Sequence, residues 1–127
     1  MIEESYVSRD TARMLKEAGF DVPCNSYYEL EDGEAVRKDC IRPYDHNGFG
    51  DTICSRPTLA LAARWLREVY NVAIYSLYDD DMEQWFYVVD AFTKNPVING
   101  FQSGSEYDDY ESAFEDGLQK AIKLIKK

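Results

Sequence analysis

One segment, Pro57 to Tyr78, constrains the fold more than any other, because its apolar residues change spacing halfway along. Before Asn71 the apolar side chains recur at helical spacing, at Leu59, Ala62, Ala63, Leu66 and Val69. After Asn71 the residues alternate at strand spacing, with Val72, Ile74 and Ser76 on one face and Ala73, Tyr75 and Leu77 on the other. The segment predicts a helix that leads directly into a strand.

A first helix is predicted over residues 9–18. Ser8 is a suitable N-cap, and Val7 and Ala12 stand where a hydrophobic staple places its two apolar residues. Gly19 fits the C′ position, where a helix commonly ends in a left-handed residue.

A last helix is predicted near the C-terminus. Asp108 and Glu111 have the spacing of an N-cap and its N3 partner in a variant capping box. One broad apolar stripe follows, formed by Tyr110, Ala113, Phe114, Gly117, Leu118, Ala121, Ile122 and Ile125. Glycine costs about 1 kcal/mol relative to alanine inside a helix, so Gly117 predicts close packing against a neighbouring element.

Two antiparallel hairpins are also predicted. The first joins SYYEL to EAVRK around Asp32-Gly33, a pair that favours a type I′ turn. The second joins VAIYSLY to QWFYVVDAF around the acidic run Asp79 to Glu83, and its second strand is apolar on both faces, as in a central strand. A short strand is expected around Pro96 to Phe101.

Between the first hairpin and the second helix, the residues from Asp39 to Ser55 show no apolar periodicity and predict a long loop. Loops of this length in compact domains are often functional or mobile. The helix that follows is expected to have Pro57 in its first turn and Ser55 or Arg56 as its cap.

With 127 residues and 45% apolar content, the chain is expected to form one domain over 1–127. The fold class is α+β, with three helices on a small antiparallel sheet in the order α-β-β-α-β-β-(β)-α. No apolar run reaches the roughly 18 residues of a membrane span, and the N-terminus lacks a signal-peptide layout. We therefore expect a cytoplasmic protein that does not bind membranes.

The formal charge of −10 is concentrated between residues 72 and 119, where eleven acids accompany a single base, Lys94. Such acidity disfavours direct binding to nucleic acids and anionic lipids, and it is compatible with a basic protein partner. The predicted interaction surface consists of Asp79, Asp80, Asp81, Glu83, Asp108, Asp109 and Glu111. The alternative is that these acids only keep the domain soluble.

Metal and nucleophile candidates are few. Cys24, Cys40, His46 and Cys54 could supply zinc ligands, but no two of them have the close spacing of a zinc knuckle. Reduced thiols and a solvent-facing histidine are the simpler interpretation. No nucleophile motif accompanies a Cys-His pair, and the run from Asp79 to Glu83 lacks the glycine and the spacing of an EF-hand. No cofactor is expected.

Three blocks, VSRDTARMLKEAGFDVPC, PTLALAARWLREVYNVAI and YDDYESAFEDGLQKAIKLI, resemble a group of short uncharacterised proteins of gut Bacteroidetes and their phages or prophages. The resemblance covers about half of the chain, and it implies a phage or mobile-element context and a shared fold. It carries no activity, ligand or catalytic residue.

The function expected from these features is that of a non-enzymatic accessory protein that binds another protein. In one version, the acidic surface between Val72 and Gln119 imitates the phosphates of a nucleic acid and occupies a nucleic-acid-binding protein. The alternative is a small-molecule- or metal-binding protein that uses the 39–55 loop. The sequence leaves homo-oligomer formation open.

Overall fold

A computed structural model describes residues 3–92 and 100–125 of the chain. In these residues it contains three helices and two three-stranded antiparallel sheets, which confirms the predicted α+β class. The chain divides into two compact units, Met1–Ala62 (unit 1) and Ala63–Lys127 (unit 2).

The helices are α1 (Arg9–Glu17), α2 (Leu59–Tyr70) and α3 (Tyr110–Ile125). The strands are β1 (Cys24–Glu31), β2 (Glu34–Tyr44), β3 (Ile53–Ser55), β4 (Val72–Asp79), β5 (Gln84–Ala91) and β6 (Phe101–Gln102). The order matches the predicted one apart from the additional strand β3. None of the described helices is long and apolar enough to cross a membrane.

The sheet of unit 1 has the strand order β2-β1-β3. Asp32 and Gly33 connect β1 to β2 with φ angles of 50° and 81°, which confirms the predicted type I′ turn. Because β3 pairs with the other side of β1, β1 is the central strand and β2 lies at an edge.

The prediction of a loop from Asp39 to Ser55 is wrong at both ends. Strand β2 continues through Tyr44, and β3 already begins at Ile53. Pro43 suggested a break in the sequence, but β2 is an edge strand, where a residue without an N–H is tolerated. Only the residues between these strands are irregular, apart from a short 3₁₀ turn at His46–Gly48.

Both ends of α1 agree with the sequence prediction. The Ser8 hydroxyl accepts a hydrogen bond from the Thr11 N–H at 3.3 Å, which confirms the N-cap. At the other end Gly19 has a φ of 97°, and the Phe20 N–H donates to the Leu15 carbonyl at 2.9 Å. This is the bonding pattern of a Schellman motif, which satisfies a carbonyl at the helix end.

Helix α2 begins later than predicted. Its cap is Thr58, whose hydroxyl accepts from the Leu61 N–H at 3.1 Å. The prediction that Ser55 or Arg56 is the cap is wrong, because both residues make other hydrogen bonds. The Ser55 hydroxyl accepts from the His46 N–H of the 3₁₀ turn, and the Arg56 N–H donates to a β1 carbonyl.

Four of the five apolar residues predicted to form the buried stripe of α2 are buried, namely Leu59, Ala62, Ala63 and Leu66. Val69 was predicted to be the fifth, but it is 56% exposed. Trp65, which the pattern did not include, is buried instead.

The sheet of unit 2 has the order β4-β5-β6, so β5 is central, as its two apolar faces predicted. Helix α3 packs against one face at Gly117. A Cβ atom at this position would lie 2.7 Å from Cγ2 of Ile74 and 3.2 Å from Cβ of Tyr87, which confirms the predicted close packing.

A short strand is predicted around Pro96 to Phe101, and the structure has a two-residue strand at Phe101–Gln102. Residues 96–99 of that prediction lie outside the described ranges.

Candidate functional site

The two acidic segments predicted to form an interaction surface lie at the same end of unit 2. The Ser105 hydroxyl donates a hydrogen bond to the Asp79 carboxylate at 2.7 Å. Trp85, at the start of β5, bonds to Tyr107 in both directions, with N···O distances of 2.8 and 3.1 Å. These contacts place the β4–β5 turn beside the residues that lead into α3. Nothing in the sequence pattern singled out Ser105 or Tyr107.

Three aromatic rings lie among these acids. The ring centroids of Tyr78 and Trp85 are 5.2 Å apart, and those of Trp85 and Tyr110 are 5.6 Å apart. Both pairs meet edge to face, the geometry that aromatic rings prefer. Tyr78 and Tyr110 remain 47% and 44% exposed, so each also presents part of its ring to solvent.

We call this region the acidic-aromatic surface. It comprises Tyr78, Trp85, Tyr110 and the seven acids predicted from the sequence, which are Asp79, Asp80, Asp81, Glu83, Asp108, Asp109 and Glu111. A bond from the Ser76 hydroxyl to the Tyr110 carbonyl, at 2.9 Å, fixes the start of α3 against β4. The aromatic centre is therefore held by backbone contacts as well as by ring packing.

Two of the seven carboxylates have structural roles. Asp79 accepts the Ser105 hydroxyl and the N–H groups of Met82 and Asp81, and these bonds hold its pKa below the ordinary value. Asp109 accepts the Ser112 N–H at 2.7 Å, which likewise lowers its pKa. Asp109 is thus the N-cap of α3, and the prediction that Asp108 is the cap is wrong by one residue.

The other five carboxylates are exposed to solvent, at Asp80, Asp81, Glu83, Asp108 and Glu111. Across residues 3–92 and 100–125, no salt bridge joins any of them to a lysine or arginine. Their charge is therefore available to a partner.

The zinc candidates are distributed over unit 1. Cys24 is buried at the start of β1, and burial raises the pKa of its thiol to about 11. Cys40 and Cys54 are half-buried on β2 and β3. Among the described residues, no three His, Cys, Asp or Glu side chains form a group that could hold a metal ion. A thiol with a raised pKa is also a poor nucleophile at neutral pH.

The prediction that His46 faces solvent is wrong, since the residue is only 4% exposed. Its Nε2 atom lies 2.9 Å from the Cys24 carbonyl oxygen, and its ring stacks on Tyr27 with centroids 4.4 Å apart. The imidazole therefore joins the 3₁₀ turn to β1. The polar neighbours of His46 in the sequence gave no signal of this burial.

Comparison with known proteins yields no match. No protein-family model matches the chain, and neither a curated protein nor a solved structure is significantly similar to it. Geometry and charge are therefore the basis for a functional proposal.

Proposed function

We propose that this protein is a non-enzymatic accessory protein that binds a basic protein through the acidic-aromatic surface. The observation that carries the proposal is the juxtaposition at one end of unit 2, where the Asp79–Ser105 and Trp85–Tyr107 contacts join two acidic segments around three aromatic rings. Five of the carboxylates there have no cationic partner in the described chain.

The chemistry of such a surface suits arginine. Partly exposed Tyr78 and Tyr110 can receive a guanidinium over their rings, and tyrosine and tryptophan are favoured anchors of protein interfaces. The surrounding carboxylates can accept paired hydrogen bonds from the same group. Their charge also attracts a basic partner over a distance and raises the association rate.

In the version we favour, the partner is a nucleic-acid-binding protein, and the carboxylates occupy the site where its basic residues hold phosphates. The protein itself then binds neither nucleic acid nor membrane directly, because its charge repels both. The resemblance to proteins of Bacteroidetes phages and prophages supports a mobile-element setting in the host cytoplasm.

The proposal is tested with a synthetic arginine-rich peptide, and with the same peptide carrying citrulline in place of arginine. The triple variant Asp80→Asn, Asp81→Asn, Glu83→Gln should bind the arginine peptide roughly tenfold more weakly than the wild type. A control variant with the same loss of charge in unit 1, Glu3→Gln, Glu4→Gln, Asp21→Asn, should bind normally. Equal weakening by both variants would show that only net charge matters, which contradicts the proposal.

The aromatic centre has a matched test of its own. Tyr110→Ser removes an exposed ring from the acidic-aromatic surface and should weaken peptide binding roughly fivefold. Tyr75→Ser removes a similarly exposed ring from the face of the β4-β5-β6 sheet opposite the one against which α3 packs, and it should have no effect. Normal peptide binding by Tyr110→Ser would contradict the proposal that the aromatic rings contribute to binding.

A second candidate function is small-molecule or metal binding by the 39–55 segment. The observation that favours it is a groove that Asp51, Thr52 and Cys54 help to line. Metal analysis of the purified protein tests the metal version, for which about one zinc per chain is the supporting result.

A further inference from the structure

A groove of about 180 Å³ lies in unit 1 between α1 and one face of the sheet. All of its residues belong to unit 1, whereas those of the acidic-aromatic surface belong to unit 2. The residues that line the groove are Arg9, Arg13, Tyr28, Leu30, Ala35, Asp51, Thr52 and Cys54.

Two contacts fix α1 over this face of the sheet. Before the helix begins, the Val7 carbonyl accepts a bond from the Tyr28 hydroxyl of β1 at 2.7 Å. In the last turn, Lys16 Nζ donates to the carbonyls of Gly50 and Ile53, the latter at 2.6 Å. The helix is therefore held at both ends, and the groove lies along the side of the helix that carries Arg9 and Arg13.

The floor of the groove is largely apolar. Leu30 and Ala35 are paired across the β1–β2 hairpin, and Tyr28 and Cys54 are paired across β1 and β3. Residues that are directly opposite in an antiparallel pair lie on the same face, so these four side chains form one surface. Leu30 is still partly exposed, as expected for an apolar residue that faces an open groove.

The wall formed by α1 is cationic. Arg9 and Arg13 are four residues apart, so both project from the same side of the helix. In the described part of the chain Arg9 makes no salt bridge, and Arg13 has only an exposed contact of 3.5 Å with Asp10. Exposed pairs of this kind contribute little stability, so Arg13 can exchange this partner for a ligand.

We propose that this groove binds a small monocarboxylate that carries a short apolar chain. The carboxylate would pair with Arg9 and Arg13, since guanidinium groups bind carboxylates in two-point geometry, and the chain would lie on Leu30 and Ala35. The volume equals that of about six waters and is below the roughly 300 Å³ of a drug-sized site. Asp51 at the groove disfavours ligands of higher negative charge, such as phosphate.

The test is an NMR titration of the full chain with hexanoate, in parallel with hexylamine and inorganic phosphate. Hexanoate should cause saturable shifts at the amides of Arg9, Arg13, Leu30 and Ala35. Hexylamine has the same chain with the opposite charge and should cause none, and phosphate should bind more weakly than hexanoate. Binding of phosphate at least as strong as that of hexanoate would show that the apolar floor is not used, and would overturn the proposal.

Arginine variants complete the test. Arg9→Gln and Arg13→Gln should each weaken hexanoate binding roughly tenfold, since each removes a charged hydrogen-bonding group. Arg42→Gln changes an exposed arginine of β2 outside the groove and should bind as the wild type does. The proposal is overturned if hexanoate gives no saturable shift, if hexylamine binds equally, or if a folded Arg9→Gln, Arg13→Gln double variant binds normally.

Discussion

The β1–β2 and β4–β5 hairpins differ in whether their charged side chains form ion pairs. On the β1–β2 hairpin of unit 1, Lys38 lies 3.5 Å from Glu29 and 3.2 Å from Glu31. Next to it Arg37 pairs with Asp39 at 3.1 Å. On the β4–β5 hairpin of unit 2, no cross-strand pair near the turn contains a base: Asp79 stands opposite Gln84, and Tyr78 stands opposite Trp85. The exposed carboxylates of the turn have no base among the described residues.

Composition alone does not reveal this difference. Each unit contains twelve acidic and seven basic residues, so their formal net charges are equal. In unit 1, Lys38 pairs across the hairpin with Glu29 and Glu31, and Arg37 pairs with Asp39 on its own strand, so these charges neutralise one another locally. In unit 2 all bases except Lys94 lie towards the two ends of the sequence, and eleven of the twelve acids lie between those ends. The arrangement, and not the total, makes unit 2 the candidate for binding a basic protein.

The largest effect is expected where the hairpin of unit 2 packs against α3. Gly117→Val should destabilise unit 2 by about 3 kcal/mol, because the new side chain meets Ile74 and Tyr87 with no space to move. Both tryptophans lie in unit 2, so tryptophan fluorescence during denaturant unfolding reports on this change. Gly104→Val is the matched control, since a Cβ there meets no atom within 4 Å, and it should be nearly neutral. Equal stability of the two variants would contradict this packing.

The stability of the β1–β2 hairpin of unit 1 depends instead on the backbone conformation of its turn. Gly33→Ala should cost about 1.5 kcal/mol, because alanine is strained at a φ of 81°. The matched control is Gly48→Ala, at a position with no close neighbours and no such φ, and it should change little. Hydrogen exchange of the β1 amides measures the stability of the hairpin in both variants. Unchanged exchange in Gly33→Ala would mean that the turn does not stabilise this hairpin.

Within unit 2, an acid that accepts a structural hydrogen bond should contribute more to stability than an acid that is exposed without one. Asp109→Ala should destabilise the protein by about 1 kcal/mol, since it removes the N-cap of α3. Asp108→Ala removes the same charge one residue earlier and should change stability by less than about 0.5 kcal/mol. Denaturant unfolding distinguishes them. The opposite order would restore Asp108 as the cap.

The smallest effect concerns the pH response of Asp79. The Ser105 hydroxyl, with the N–H groups of Met82 and Asp81, lowers the pKa of Asp79, so the stabilisation is complete above the ordinary aspartate pKa. It is lost as the pH falls through the lowered folded-state pKa. Ser105→Ala should move this pKa upward, as measured by NMR titration of the carboxyl carbon. An unchanged pKa would show that the contact with Ser105 is not formed in solution.

Much of the local structure could be predicted from the sequence, because it depends on residues that are close in the chain. Asp32-Gly33 specifies its own turn, Ser8 and Gly19 specify the ends of α1, and the period change around Asn71 specifies a helix followed by a strand. The glycine at 117 also indicated its close contact, since a glycine inside an apolar helix stripe needs a packing reason.

The parts that could not be predicted depend on contacts between distant residues. Pro43 suggests a loop unless β2 is known to be an edge strand. The sequence around His46 suggests a surface residue unless the Cys24 carbonyl is known to accept a hydrogen bond from its Nε2–H. The acidic-aromatic surface itself depends on Ser105 reaching Asp79, across 26 positions in the chain. The acids of this surface could be predicted from the sequence, but the contacts among its aromatic rings could not.

Chemical-shift mapping of the full chain with the arginine-rich peptide at low salt tests the central claim most directly. The account predicts that the largest shifts fall on Tyr78, Trp85 and Tyr110 and on the turn from Asp80 to Glu83. The acids of the β1–β2 hairpin should stay unperturbed, and the affinity should fall roughly tenfold as salt is raised to physiological strength. Shifts spread over the exposed acids of both units, or centred on unit 1, would contradict it.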